Sequence, residues 1–311
     1  MFRDHGVRDM QMDNCSPDGT RADSLFDPAR SDDQIRPCWM TSLDLPLPGN
    51  ESGWKIHRIF RGPTASMKRI STHVSVLSSG REPHPPHAHE EEELLILLSG
   101  EADIVTLDSR SRISDAERIV PGSLVYHAAR QKHTIRPAGP APATYLIFKW
   151  RASSGRKPET VLPSTVFHGA GIIDDMMSQP FGQMARRVIF ESPTLYLRKL
   201  RCHISTLQPG AGYLPHTDAY DVAIFTISGT LETLGRQVGP RTLIFYAAGE
   251  PHGMKNAGAV PSSYMVIEFH GSRLRQKWYA LVRQGVRIVR SRVWPHPPDS
   301  RHARTTGINN G

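Results

Sequence analysis

Four side chains stand out for the chemistry they could do together. Three lie in "GREPHPPHAHEEEELLILLSG", from Gly80 to Gly100: His87, His89 and Glu93. The fourth, His133, comes later in the same half of the chain. Alternate side chains of a β-strand share a face, and positions 87, 89 and 93 are all odd, so on a regular strand the three point the same way. Two imidazoles and a carboxylate converging on one point make a site for a first-row metal ion. A further ligand must come from another strand, and His133 is the candidate. Glu91 has the same parity as Glu93, so periodicity leaves both open. Glu90 and Glu92 have the opposite parity and are expected in solvent.

The elements that would position these groups are short. From Trp54 onward, apolar runs of four to eight residues recur between Gly, Pro and Ser: "WKIHRIF", "ISTHVSVL", "ELLILL", "SLVYHA" and "ATYLIFKW". Runs of this length, rich in Val, Ile, Leu and aromatics, are all-β punctuation and point to a barrel or sandwich. After "RASSGRKPET" the pattern begins again with "TVFH", "RVIF", "TLYLRKLRCHISTL", "VAIFTISG", "TLIFYA" and "SYMVIEFH". The two sets form a repeat. His203 falls under His73, Gly210 under Gly80, His216 under His87, Gly229 under Gly100 and His252 under His133. Agreement in order at nearly constant offset argues for two copies of one β unit.

The second copy departs from the first where chemistry is concerned. Val222 stands where Glu93 does and cannot bind metal. Asp221 has the wrong parity and should point away unless a bulge re-aims it. His216, Asp218 and His252 remain, two imidazoles and a carboxylate, the composition of a facial triad.

At these residues the chain resembles the cupins, in their two-domain bicupin form. The first cupin motif, glycine, H-x-H, a glutamate three or four residues on, then glycine, is met by Gly80, His87, His89, Glu93 and Gly100. The second motif is degraded. The first half keeps Gly122 and His133 but has Ala128, Arg130 and Pro137 in place of Pro, Gly and Asn. The second half keeps Gly249, His252 and Asn256, with Arg241 and Ala247 at the other positions. The resemblance covers about residues 54–270. It implies an all-β fold of two tandem double-stranded β-helix (jelly-roll) barrels, and it selects Glu93 as the carboxylate ligand beside His87, His89 and His133. It also implies a homo-oligomer, a dimer first of all.

The domain reading is an arm over residues 1–53, a first barrel over 54–152 with the intact site, a connection over 153–192, a second barrel over 193–270, and a helix with a basic tail over 271–311. The arm carries ten acids against five bases and is expected to be disordered or loosely draped, although "IRPCWM" could pack on a neighbouring surface. "GIIDDMMSQ" in the connection reads as a short helix. Leu274, Trp278, Leu281 and Val282 have helical spacing, so a closing helix is expected after the second barrel. That last segment holds nine Lys and Arg against Asp299 and accounts for the whole net charge of +8. Its bland reading is a solvated face with a frayed end. Its alternative is a polyanion contact.

No apolar run reaches the roughly 18 residues of a membrane span, and the N-terminus lacks the apolar core of a secretory signal, so a cytoplasmic protein with no membrane contact is expected. The three cysteines form no CxxC pair and read as free thiols. Among other histidines, His84 in a proline-stiffened loop could touch substrate, and so could His73, although His73 and His203 are read first as facing solvent. His127 is read as structural.

Three imidazoles and one carboxylate suit Fe(II), Mn(II), Ni(II) or Zn(II). The function expected first is a metal-dependent oxygenase, a dioxygenase with Fe(II), acting on a small aromatic, enolic or carboxylate substrate. The alternatives are a non-redox isomerase, lyase or hydrolase on a sugar acid or ureide, and a non-catalytic small-molecule-binding protein.

Overall fold

The computed structural model describes residues 38–43, 53–81, 85–152, 160–169, 175–176 and 181–271. The first half contains β1 (Cys38–Ser42), β2 (Trp54–Gly62), β3 (Arg69–Leu77), β4 (Glu92–Ser99), β5 (Ala102–Leu107), β6 (Ile113–Ile119), β7 (Leu124–His127), β8 (Lys132–Pro137) and β9 (Ala143–Arg151). The second half contains β10 (Thr165–Phe167), β11 (Met184–Ser192), β12 (Lys199–Leu207), β13 (Gly212–His216), β14 (Asp221–Ser228), β15 (Leu231–Thr233), β16 (Arg236–Val238), β17 (Thr242–Tyr246), β18 (His252–Asn256) and β19 (Ser262–His270).

Each half is a jelly roll with one six-stranded sheet, ordered β10-β7-β4-β9-β3-β2 in the first and β1-β17-β14-β19-β12-β11 in the second. Smaller sheets, β6-β5-β8 and β13-β18-β15-β16, cover the other side of each roll. The two orders are the same order, and both copies carry a register shift in the same place, between Arg58 and Phe60 and between Val188 and Phe190. The internal repeat is therefore structural.

Strand alternation sorts the side chains into three cores. Leu95, Leu97, Val125, Ile135 and Ile147 fill the first barrel, and Ile224, Ile244, Tyr246, Met254 and Val266 the second. Residues of opposite parity, including Leu94, Ile96, Phe148 and Trp150 from one sheet and Ala223, Phe225, Ile267 and Phe269 from the other, make one shared core between the barrels. The outer faces of the two large sheets thus bury each other.

That burial corrects the parity argument for Glu92. It does not face solvent: it is fully buried between the barrels and accepts four hydrogen bonds, from Tyr126 Oη (2.8 Å), Trp150 Nε1 (2.7 Å), Thr194 Oγ1 (2.7 Å) and the Leu195 amide (2.7 Å). Thr194 and Leu195 belong to the second half. Asp221 does point away from the second barrel's interior, and it meets the reciprocal arrangement: it accepts from Thr64 Oγ1 (2.6 Å), Ser66 Oγ and the Ala248 amide (2.8 Å). Burial pushes both carboxyls up, and the donors around each oppose it.

Three boundaries differ from the sequence reading. Cys38–Ser42, placed in the arm, is a strand on the edge of the second barrel's large sheet, with Trp39 opposite Phe245. The connection over 153–192 contains β10, which pairs with β7, and β11, the first strand of the second roll. Cys38 is disulfide-bonded, so the expectation of free thiols fails there, while Cys202 is a buried free thiol. Of the connection's short helix only Asp175 and Met176 are described, and both are helical. The closing helix, the basic tail and His84 lie outside the described residues. Among those described, no helix is long and apolar enough to cross a membrane.

Candidate metal centre

The predicted ligands do converge, but not for the expected reason. β4 begins only at Glu92, so His87 and His89 precede the strand. His87 is held by a bridge to β8: its amide donates to the His133 carbonyl (3.1 Å), and the His133 amide donates back (2.9 Å). His89 sits in the following loop, its carbonyl accepting from the Arg130 amide at 2.8 Å. Glu93 is on the strand proper, its side chain buried at the mouth of the barrel.

The His87, His89 and His133 rings lie with centroids 5.0–5.4 Å apart, and one nitrogen of each falls within 4.8 Å of the others. His89 Nε2 is 3.1 Å from Glu93 Oε2, and His133 Nε2 is 3.9 Å from Oε1. The outer nitrogens fix the rings. His89 Nδ1 lies 2.8 Å from the Glu91 carbonyl and His133 Nδ1 lies 2.8 Å from the Gln131 carbonyl. A carbonyl only accepts, so each Nδ1 donates, and in the neutral ring each Nε2 presents its lone pair to the Glu93 side. Lone pairs and a carboxylate crowded together call for a cation among them, and backbone carbonyls holding the far nitrogens are the usual support of a metal-binding histidine. The donor set therefore fits a divalent ion. Glu91, the other parity candidate, pairs with Arg69 on the rim at 3.7 Å and is not in the cluster.

Burial alone would raise the Glu93 carboxyl. The Lys149 ammonium, with the neighbouring His89, His133 and His127 rings after it, outweighs burial and holds the group well below the usual carboxylate range. Lys149 Nζ is 2.9 Å from Glu93 Oε2. Sequence reasoning missed this lysine. Its register places it opposite Glu93 on β9, and its counterpart in the repeat, opposite Val222, is Glu268.

His127 is closer to the centre than its structural reading implies. It is buried, stacks on His133 with centroids 3.8 Å apart, and forms a second group within 4.8 Å with Glu93 and His133. Burial, with the neighbouring His133 ring next, drives its ring down to about 3, so it is neutral. In the second barrel Tyr246 stacks on His252 in the same way, centroids 4.2 Å apart. His73 and His203 face the barrel interiors, contrary to the solvent reading. Burial first, then the charge of Lys149 for His73 and of Arg186 for His203, pushes each down to about 4.

The second trio is also brought together. His252 Nε2 lies 3.4 Å and His216 Nε2 3.7 Å from Asp218 Oδ2, while Val222 is buried in the barrel core. His252 is buried, but His216 is exposed, which makes this a looser set.

No protein-family model matches this sequence, and no curated protein matches it. Solved structures do match in shape. The Lactobacillus farciminis oxalate decarboxylase formate complex is 15% identical, covers 75% of this chain and 86% of that one, and gives a TM-score of 0.50. A mutant of Bacillus subtilis oxalate decarboxylase, a protein with Mn(II) centres, is 14% identical over 75% and 77%, with a TM-score of 0.51. A cupin 2 conserved barrel domain protein from Leptotrichia buccalis is 13% identical over 74% and 96%, with a TM-score of 0.53. The likeness is one of fold: two jelly-roll barrels in one chain.

Proposed function

We propose that the first barrel is the metal centre of an enzyme, with His87, His89, Glu93 and His133 as ligands. The observation that carries this is the fixed orientation of His89 and His133, whose Nδ1 atoms are engaged by carbonyls while Nε2 faces an ionised carboxylate. A divalent ion held there would supply Lewis acidity and, in the case of iron, a redox couple. The chain's own residues do the rest. His127, neutral and stacked on His133, keeps that ring in position. Leu95, Val125 and Ile147 close the barrel beneath the site and keep bulk water from it, so charge near Glu93 is weakly screened. With His87, His89, Glu93 and His133 as its protein donors, such an ion would remain open to a small substrate.

The reaction we infer is oxygenation of a small aromatic or enolic carboxylate substrate with Fe(II). The second reading is non-redox chemistry on a sugar acid, ureide or other carboxylate. Its support is the fold shared with an enzyme whose centres hold Mn(II). The test begins with elemental analysis of anaerobically purified protein beside Glu93→Ala and Asp218→Ala. About one equivalent of metal, lost only in Glu93→Ala, supports the reading, and no metal even after reconstitution overturns it. Oxygen uptake by the iron-loaded protein across a substrate panel, abolished in His87→Ala, selects oxygenation. Turnover without oxygen, as fast with Mn(II) as with iron, selects the second reading.

A further inference from the structure

We infer that Lys149 is the residue that recognises the substrate, and that the substrate it selects carries an anionic oxygen group, a carboxylate or an enolate, bound beside the metal centre. This rests on the reading of the first barrel as a metal centre and names what that centre takes.

Lys149 reaches Oε2 of Glu93 at 2.9 Å, the same oxygen that His89 Nε2 approaches at 3.1 Å. The cation therefore lies at the edge of the donor cluster and not on the rim. The rim cations are engaged elsewhere: Arg69 with Glu91, and Arg130 and Arg151 with Glu90. The Lys149 side chain is 25% exposed whereas that of Glu93 is 4% exposed, so solvent and small molecules reach the lysine while the carboxylate stays covered.

Charge then decides what can sit there. With Glu93 committed to a dication, its negative charge is neutralised without help from the lysine. The ammonium remains, on a flexible four-carbon stem, next to three uncharged imidazoles and a metal dication. The pocket then carries an excess of positive charge in a barrel mouth of low dielectric, and an anion is the ligand that relieves it. A neutral substrate would leave the ammonium with no anionic partner beyond the metal-committed Glu93.

The duplicate barrel shows that the fold does not require this cation. It keeps the same two strands in the same register, with Val222 and Glu268 where Glu93 and Lys149 stand. Glu268 turns to Arg201, His203 and His270 and belongs to none of the metal-binding groups. A cation at this strand position is thus a property of the first pocket.

The test uses full-length Co(II)-loaded protein in an Asp218→Ala background, so that the visible spectrum reports the first barrel. Oxalate, a small dicarboxylate, and oxamide, its uncharged counterpart, are titrated against the Lys149 form, Lys149→Gln and Lys149→Arg. We expect oxalate to bind more tightly than oxamide and Lys149→Gln to weaken oxalate by about 10- to 100-fold, the range of one lost hydrogen bond to a charged group. Oxamide should change less than about threefold and Co(II) content should hold. Lys149→Arg should retain the preference for the anion. Unchanged oxalate affinity in Lys149→Gln with metal retained overturns the inference and leaves the metal centre standing. Loss of Co(II) from Lys149→Gln makes the lysine a positioning partner of Glu93 and also overturns it. A Lys149 form that takes up no Co(II) refutes the metal centre itself.

Discussion

Glu92→Gln puts the cross-barrel contact to a quantitative test. The carboxylate accepts four hydrogen bonds, two on each oxygen: Tyr126 Oη and the Leu195 amide on Oε1, Trp150 Nε1 and Thr194 Oγ1 on Oε2. Glutamine keeps the shape but turns one oxygen into a donor. Whichever way the amide is placed, one rigid N–H, that of Trp150 or of Leu195, faces another N–H. The hydroxyls of Tyr126 and Thr194 can rotate to accept, but those two groups cannot. One orphaned buried donor costs about 1–3 kcal/mol, and the remaining bonds lose their charge assistance, so the loss should be about 2–4 kcal/mol. Urea unfolding at neutral pH, followed in parallel by circular dichroism and tryptophan fluorescence, measures it. Because Thr194 and Leu195 lie in the other half of the chain, a double-mutant cycle with Thr194→Val should give a coupling of about 1 kcal/mol or more. A loss below about 1 kcal/mol, or no coupling, would refute the account of how the barrels are joined.

Three further outcomes follow from the same reasoning. His203 is held down to about 4 by burial and then by Arg186, so the fold keeps it neutral while the unfolded chain takes up a proton below about 6.5; its contribution to stability is complete above that pH, is lost as pH falls toward 4, and His203→Asn should reduce proton uptake on unfolding near pH 5 by about one. Arg241 has φ of 63° where its counterpart in the first half is a glycine, Gly122, so Arg241→Gly should raise stability by about 1 kcal/mol in thermal unfolding, and a loss would count against backbone strain there. Val222→Glu would set a carboxylate opposite Glu268 and should destabilise by about 1–3 kcal/mol, with Glu268→Lys in the same chain recovering most of it; no recovery would mean that the pairing seen between Glu93 and Lys149 does not transfer between barrels.

The repeat and the convergence of the candidate donors were legible because both depend on residue type and order. A histidine pair, a glutamate at fixed distance and flanking glycines survive being read as a string. What was not legible depends on what covers a face. Parity placed Glu92 opposite Glu93 correctly, but it could not show that the opposite face meets another sheet in place of water. The clue lay in the repeat itself, where an acid at both Glu92 and Asp221 is matched by a threonine at both Thr194 and Thr64. Parity also assumed a strand running through His87 and His89. The residues converge all the same, because the bridge to β8 does what a continuous strand was expected to do. Lys149 escaped notice because a lysine within an apolar strand looks like an edge residue until its register partner is known.

The exchange of edge strands bears on how the chain is made. β10 precedes the second roll yet completes the sheet of the first, and β1 precedes the first roll yet completes the sheet of the second. On the ribosome these two partnerships are far from equal. The first barrel has its sixth strand once residue 167 has emerged. Cys38–Ser42 must wait for Thr242–Tyr246, about 200 residues and, at ordinary elongation rates, about 10–40 s later. For that interval the growing chain carries a strand with no edge to join, and the later large sheet takes its edge from a segment made before the first barrel.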